Sequence, residues 1–369
     1  MIIGIPTEIK AQEYRISMIP SSVKELTGRG HRVLVQSGAG EGSNYTDELY
    51  SAVGAEIVAS AEQVFEQCEL IVKVKEPQAS ELSMITEKHT LFTYLHLAAD
   101  KKLTEALLAT GCTAIAYETI EVNKRLPLLE PMSEIAGRMS AIIGAYYLAK
   151  HNGGRGVLLG GVPGVVPGRV VVIGGGTAGV NAARVATGIG AEVSILEVDL
   201  ERMRFLDIAM EGCHTIYSNE ANLADLLPRA DLVIGAVLVR GAKAPKLITR
   251  EMLKIMQTGS VFVDIAVDQG GCAETTRPTT HDDPTFYEEG VLHYCVANMP
   301  GAYARTSSQA LNNSTQHWTT MIADHGVAEA CKIQPDLLGG INCIKGKLTC
   351  PPVAETHGIE LADAKLLLG

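Results

Sequence analysis

Val170-Val-Val-Ile-Gly-Gly-Gly-Thr-Ala-Gly-Val-Asn-Ala-Ala-Arg184 is the stretch on which the fold turns. An apolar, β-branched run ends in Gly174-x-Gly176-x-x-Gly179 and passes directly into an alanine-rich segment. That order reads as strand, tight turn and helix, the start of a dinucleotide-binding βαβ unit. Gly174 permits the turn, Gly176 lets a pyrophosphate approach the backbone without meeting a Cβ, and Gly179 lets helix and strand pack closely. The helix N-terminus then offers N–H groups and the positive end of its dipole to the phosphates. The next strand closes with Ile195-Leu196-Glu197. A carboxylate there accepts hydrogen bonds from ribose hydroxyls and repels a 2′-phosphate, which favours NAD over NADP. Asp199 can do the same work if the strand end shifts, and Arg202 and Arg204 can shelter a phosphate.

Residues 230–238 and 259–271 read as later strands of the same sheet. Ligands of open α/β sheets bind at the carboxyl ends of strands, which places Val237, Leu238 and Asp268 near the nicotinamide half. Asp268 also suits a turn cap before Gly270-Gly271. Upstream, short β-rich runs alternate with helical stretches, with strands expected over residues 2–5, 32–36, 56–58, 70–74, 90–96 and 113–116. This alternation predicts a mostly parallel sheet covered by helices. A long helix is expected over residues 133–151, with Ser133 as its N-cap. The glycine- and proline-rich stretch 153–168 carries too many Val and Leu residues for a flexible linker and reads as an ordered loop. After Pro300 helices are expected over 308–312 and 317–330, then an irregular stretch over 340–352.

The 369 residues predict two or three domains. Hydrophobic residues make up 46% and charged residues 20%, enough for a large core. Of the 37 glycines, 15 fall between Gly137 and Gly190, around the fingerprint. A net charge of −11 argues against a general nucleic-acid or anionic-membrane binder. It leaves room for a small anion held by a local Arg/Lys pair. The eight cysteines form no Cys-x-x-Cys pair and no zinc spacing, so reduced thiols, no metal and a cytoplasmic protein are expected. No signal peptide or membrane-spanning run is expected.

Further blocks are Gly4-Ile-Pro-Thr-Glu-Ile-Lys10, Glu13-Tyr-Arg-Ile-Ser17, Val72-Lys-Val-Lys-Glu-Pro77, Leu91-Phe-Thr-Tyr-Leu-His-Leu-Ala-Ala99, Pro131-Met-Ser-Glu-Ile-Ala-Gly-Arg138, Asp264-Ile-Ala-Val-Asp-Gln-Gly-Gly271 and Cys295-Val-Ala-Asn-Met-Pro300. With the glycine fingerprint, they make the chain resemble the NAD-dependent L-alanine dehydrogenases along nearly its whole length. The NAD(H)-binding subunit of proton-translocating transhydrogenase shares this architecture. The family usually carries Asp where this chain has Glu197, and Gln309 and Gln316-His317-Trp318 depart from its pattern.

The resemblance implies an α/β fold of two Rossmann-like, doubly wound domains with a cleft between them. Residues 1–128 would open a discontinuous substrate domain, 129–303 would form the NAD-binding domain, and 304–369 would complete the first. It implies reversible oxidative deamination of L-alanine to pyruvate and ammonia, with NAD as cofactor, in a homohexamer. Arg15 and Lys75 would hold the substrate carboxylate, His96 would be the acid/base group with Tyr94 nearby, and Asp268 would stabilise the polar intermediate. Met132 and Asn298 would line the site. Ser133, Gly174, Gly176, Ala178, Gly179, Glu197, Arg202, Ser218, Val237, Leu238, Ile265, Asp268 and Val296 would contact NAD.

Read without the family, these positions say less. Strand parity places Phe92, Tyr94 and His96 on one face, yet His96 alone reads as a satisfied core histidine. Lys73 and Lys75 share a face that suits either a solvated strand edge or a cleft. Two other functions stay open: an NAD(H)-binding subunit without amino-acid chemistry, and a dehydrogenase of another small amino acid.

Overall fold

The computed structural model describes residues 1–237 and 244–369. The site expectation for Leu238 therefore lies outside the described residues. The chain folds as two compact units, one made of residues 1–132 and 301–369, the other of residues 133–300. In chain order the strands are β1 (Ile2–Ile5), β2 (Arg32–Gln36), β3 (Glu56–Val58), β4 (Leu70–Val72), β5 (Thr90–Thr93), β6 (Thr113–Ala116), β7 (Arg169–Ile173), β8 (Glu192–Glu197), β9 (Cys213–Tyr217), β10 (Leu232–Gly235), β11 (Val261–Asp264), β12 (Thr285–Glu288), β13 (Val291–Tyr294), β14 (Ile341–Ile344) and β15 (Lys347–Leu348).

The first unit holds the sheet β15-β14-β6-β5-β4-β1-β2-β3. Its strands from β3 to β6 are parallel, and β14 runs antiparallel to both β6 and β15. The second unit holds β12-β13-β11-β10-β7-β8-β9, parallel except for β12. Both are α/β sheets in the Rossmann order. Each reverses direction beside its first strand, between β1 and β4 in one unit and between β7 and β10 in the other. Both faces are covered by helices, so the strands are near-continuous apolar runs, such as Arg169–Ile173 with four of its five residues buried.

Several expectations change against this frame. The stretch expected to be irregular, 340–352, supplies β14 and β15. Cys343 pairs with Ala114 and Ile341 with Ile115, so C-terminal residues complete the N-terminal sheet. The strand expected over 90–96 stops at Thr93, and that over 70–74 stops at Val72. Ser133 is not an N-cap, because the helix runs Glu130–Tyr147 and Ser133 lies within its first turn. The post-300 helices are one run, Ala304–Ile333, broken at Gly326 (φ 72°, ψ 164°). The 153–168 stretch is ordered: Arg155 N–H donates to Gly259 O, Gly156 to Leu148 O and Gly168 to Leu159 O. All eight cysteines are thiols, and burial pushes that of Cys112 up to about 11. Among the described residues no helix is long and apolar enough to cross a membrane.

The helix Ala304–Ile333 also ties down the N-terminal loop that follows β1. Ile16 N–H donates to Ser308 Oγ (2.9 Å) and Ile19 N–H to Asn312 Oδ1 (3.0 Å). Asn312 Nδ2 donates to Ser22 Oγ at 2.7 Å. The two glutamines that depart from the family pattern serve the same contact, Gln309 on Tyr45 and Gln316 on Ser22 and Glu25. Asn312 is buried, so truncating it leaves the Ile19 N–H without an acceptor. Asn312→Ala is expected to lower stability by about 1–3 kcal/mol, read as a lower urea midpoint. An unshifted midpoint would show that water replaces the amide there.

Candidate active site

In the first unit Lys75, Tyr94 and His96, among the expected residues, lie where strands run out. Glu8 follows β1, Lys73 to Lys75 follow β4, and Tyr94 to His96 follow β5, all at carboxyl ends beside the point of reversal. The exposed-edge reading of the lysines does not hold, since Lys73 and Lys75 are both buried. Lys73 Nζ lies between Glu8 (3.1 Å) and Glu81 (2.7 Å). Charges buried this deeply survive only when paired. Lys73 is therefore a structural cation, and its Glu8 partner also accepts the Val74 N–H at 2.5 Å. Burial acts to raise the pKa of Glu76, but Lys75, Lys10 and His96 outweigh it and hold that carboxyl below its usual range. Lys75 and His96 thus share one electrostatic neighbourhood.

Arg15 is buried, and its guanidinium is held edge-on by Glu13, with Nε at 2.6 Å from Oε1 and Nη2 at 2.5 Å from Oε2. Nη1 is turned to Met132 Sδ at 3.0 Å. Residues 13 and 15 share a face in extended chain, a spacing in the Glu13-Tyr-Arg block that could have signalled the pair.

Tyr94 and His96 do lie side by side, with rings stacked at 5.8 Å and 16°. Strand parity is not the reason. The ladder ends at Thr93, and His96 sits in the left-handed region (φ 50°, ψ 33°) at the head of a short 3₁₀ turn, Leu97–Ala99. A non-glycine residue pays about 1–2 kcal/mol for that conformation. The backbone entering the turn is held by Glu118, whose Oε1 accepts from Leu95 N–H at 3.0 Å and from His96 N–H at 2.6 Å. Burial raises the pKa of Tyr94, against the opposing pull of Arg15. Its phenol stays neutral and donates to Leu128 O at 2.5 Å. Of this pair Tyr94 is buried and His96 half-buried.

The second unit carries the glycine fingerprint between β7 and the helix Thr177–Gly188. Gly174 has φ 102°, a conformation L-residues avoid. A Cβ on Gly179 would lie 1.8 Å from Gly174 O, so the close strand–helix packing demands glycine. A Cβ on Gly176 would meet nothing within 4 Å, and its φ of −71° is ordinary. Neither packing nor backbone therefore requires glycine at 176, and space for a ligand is what remains. Among the described residues no side chain caps this helix N-terminus, so its first N–H groups suit a diphosphate. The chain thus fits a dinucleotide.

Glu197 and Arg202 hold the loop from two sides. Gly175 N–H donates to Glu197 Oε2 at 2.8 Å, and Arg202 Nε donates to Gly175 O at 2.7 Å. Glu197 Oε1 also accepts from Val198 and Asp199 N–H at 2.7 and 3.1 Å. Asp199 itself caps the helix Leu200–Ala209, accepting from Glu201 and Arg202 N–H. Ser218 N–H donates to Glu197 O, placing Ser218 at the adjacent strand end. Ala178, Ser133, Val237 and Ile265 are half-buried, whereas Val296 is wholly buried in the core. Asp268 is exposed on the short turn Ile265–Gln269 after β11. Asn298 has φ 63°. Sequence reasoning missed Glu118, Glu13 and the Glu8–Lys73–Glu81 cluster. Only the Glu13–Arg15 spacing carried a local signal.

Residues 4–136 match the family described as Alanine dehydrogenase/PNT, N-terminal domain, and residues 140–351 match its C-terminal domain. An alanine dehydrogenase from Mycolicibacterium smegmatis is 53% identical over 370 residues, covering 100% of both chains. A solved L-alanine dehydrogenase superposes with a TM-score of 0.93 at 48% identity, over 97% of this chain and 99% of that one. A transhydrogenase from Sinorhizobium meliloti gives 0.80 at 26% identity, over 95% and 99%. On these matches, which span both units, the chain belongs to the alanine dehydrogenase/PNT family.

Proposed function

We propose that the chain catalyses the reversible NAD-dependent oxidative deamination of L-alanine to pyruvate and ammonia. The observation that carries this reading is the cluster of Arg15, Lys75, Tyr94 and His96 at the strand ends of one unit, in a chain whose other unit is built for a dinucleotide. NAD, when bound by the fingerprint loop, supplies the acceptor for the hydride that leaves the substrate Cα. Glu197 and the uncapped helix Thr177–Gly188 would hold its ribose and pyrophosphate, and a carboxylate at Glu197 disfavours a 2′-phosphate.

Each residue then has a task. Two cations, Lys75 and Arg15, grip the substrate carboxylate, and Glu13 fixes the guanidinium, whose Nη1 lies on Met132 Sδ. A held carboxylate orients the Cα–H bond. Once hydride has left, the substrate is an iminium. His96 takes a proton from the water that adds to it, and returns one to the nitrogen as ammonia departs. Asp268 offers negative charge to the developing cation. In reductive amination the same groups act in reverse order. The product side is balanced: L-alanine, water and NAD give pyruvate, ammonium, NADH and a proton.

The deciding experiment follows NADH absorbance with alanine, serine, glycine and lysine offered in turn, with NAD and NADP side by side. Turnover is expected with L-alanine and NAD, and with NADP at least about 10²-fold less efficiently. Tight NADH binding without turnover of any amino acid would replace this reading with a dinucleotide-binding subunit. His96→Ala should lower kcat by about 10²–10⁴-fold, and turnover within a few-fold of wild type would remove His96 from the acid/base role. Lys75→Ala should lower kcat/KM for alanine by about 10²-fold or more, whereas an unchanged value would end the carboxylate-clamp assignment. Gly176→Ala should leave the melting temperature of the ligand-free protein within about 1 °C, because its Cβ meets no protein atom. NADH affinity, read by fluorescence titration, should fall at least about tenfold. Unchanged affinity would mean the ligand does not approach Gly176.

A further inference from the structure

We infer that Glu118 is a positioning residue for the reaction, setting the left-handed turn that presents His96. The inference rests on His96 being the acid/base group.

The geometry starts from the ladder. β5 and β6 are parallel neighbours, with Thr90 opposite Thr113 and Thr93 opposite Ala116. Continued by count, that register sets residue 95 opposite residue 118. The ladder stops there, because β6 gives way to a short 3₁₀ turn, Tyr117–Thr119. Leu95 and His96 thereby lose the carbonyl partners a longer strand would supply. The Glu118 carboxylate takes their place. Oε1 receives Leu95 N–H at 3.0 Å and His96 N–H at 2.6 Å, and Oε2 lies 3.3 Å from Leu95 N. Two consecutive N–H groups received by one anion anchor the 94–95 and 95–96 peptide planes. His96, at φ 50°, turns the chain away from that anchored plane. The turn is closed on its far side by Ala99 N–H on His96 O and by His357 Nε2 on Leu97 O.

An extended residue at 96 would send the imidazole where strand parity dictates. The turned one lays it on the Tyr94 ring, in the neighbourhood of Lys75 and Glu76. Glu118 meets the backbone of His96 through hydrogen bonds, so what matters is an acceptor oxygen at that reach more than a charge. Glutamine keeps the oxygen and loses the charge. Alanine loses both.

The test compares wild type, His96→Ala, Glu118→Ala, Glu118→Gln and Glu118→Asp in the full chain. Readouts are kcat, KM for L-alanine and NADH affinity by fluorescence. Glu118→Ala is expected to lower kcat at least about tenfold, with KM within about threefold and NADH affinity unchanged. Glu118→Gln should keep kcat within about threefold of wild type. Glu118→Asp, one carbon too short, should fall between them. A purely structural role would move all three readouts together and would show no rescue by glutamine. If Glu118→Ala does not fold, the glutamine and aspartate variants decide the matter. Aspartate equal to wild type, or glutamine as impaired as aspartate, overturns the inference. An inactive His96→Ala beside a fully active Glu118→Ala also overturns it and leaves the His96 assignment standing. An active His96→Ala removes that assignment itself.

Discussion

Where a parallel strand runs out, its backbone N–H groups lose their lateral partners, and in this protein a carboxylate takes over at each strand end that matters. Glu8 accepts from Val74 after β4, Glu118 from Leu95 and His96 after β5, and Glu197 from Gly175 beyond β7. Asp264 does the same for Ala266 and Cys272 after β11, and burial raises its pKa despite those donors. Each device solves one problem, since a buried N–H without an acceptor is costly. Each also holds the backbone beside a residue or loop proposed for the site: Lys75, His96, the fingerprint loop and Asp268.

The same economy explains the charges of the first unit. Lys73 and Lys75 are two residues apart and both buried, yet their partners divide them. Lys73 is closed off between two carboxylates, whereas Lys75 neighbours Glu76 and His96. An acidic chain can thus present a local pair of cations to a small carboxylate, because other acids within the fold hold those cations in place rather than neutralise the site at large.

Much of this was legible in the sequence. The fingerprint from Val170 to Arg184 announced strand, turn and helix because Gly174 answers a demand of the backbone and Gly179 one of packing. The Val-Lys-Val-Lys-Glu-Pro and Thr-Tyr-Leu-His blocks, through the family resemblance, marked the residues proposed for the site. What strand parity could not foresee was the turn at His96, since Glu118, whose carboxylate meets its N–H, lies in the 3₁₀ turn after β6 and becomes a neighbour only once β5 and β6 pair. The strand β14 was hidden for a similar reason. Its isolated sequence, Ile-Asn-Cys-Ile, carries a buried asparagine, Asn342, that looks irregular until its side chain finds Thr119 and Gly340. Local pattern reports local structure; contacts between distant segments must be seen.

The seat of β14 against β6 bears on how the chain comes to be built. The sheet holding Arg15, Lys75 and His96 needs residues from both ends of the chain, and its N-terminal loop is tied to Ser308 and Asn312. During vectorial synthesis on the ribosome, everything the second unit requires, residues 133–300, emerges before the last third of the first has been made. The contiguous unit is therefore the one that can complete its fold on the nascent chain. The first unit, for all that most of its residues are translated first, is assembled last.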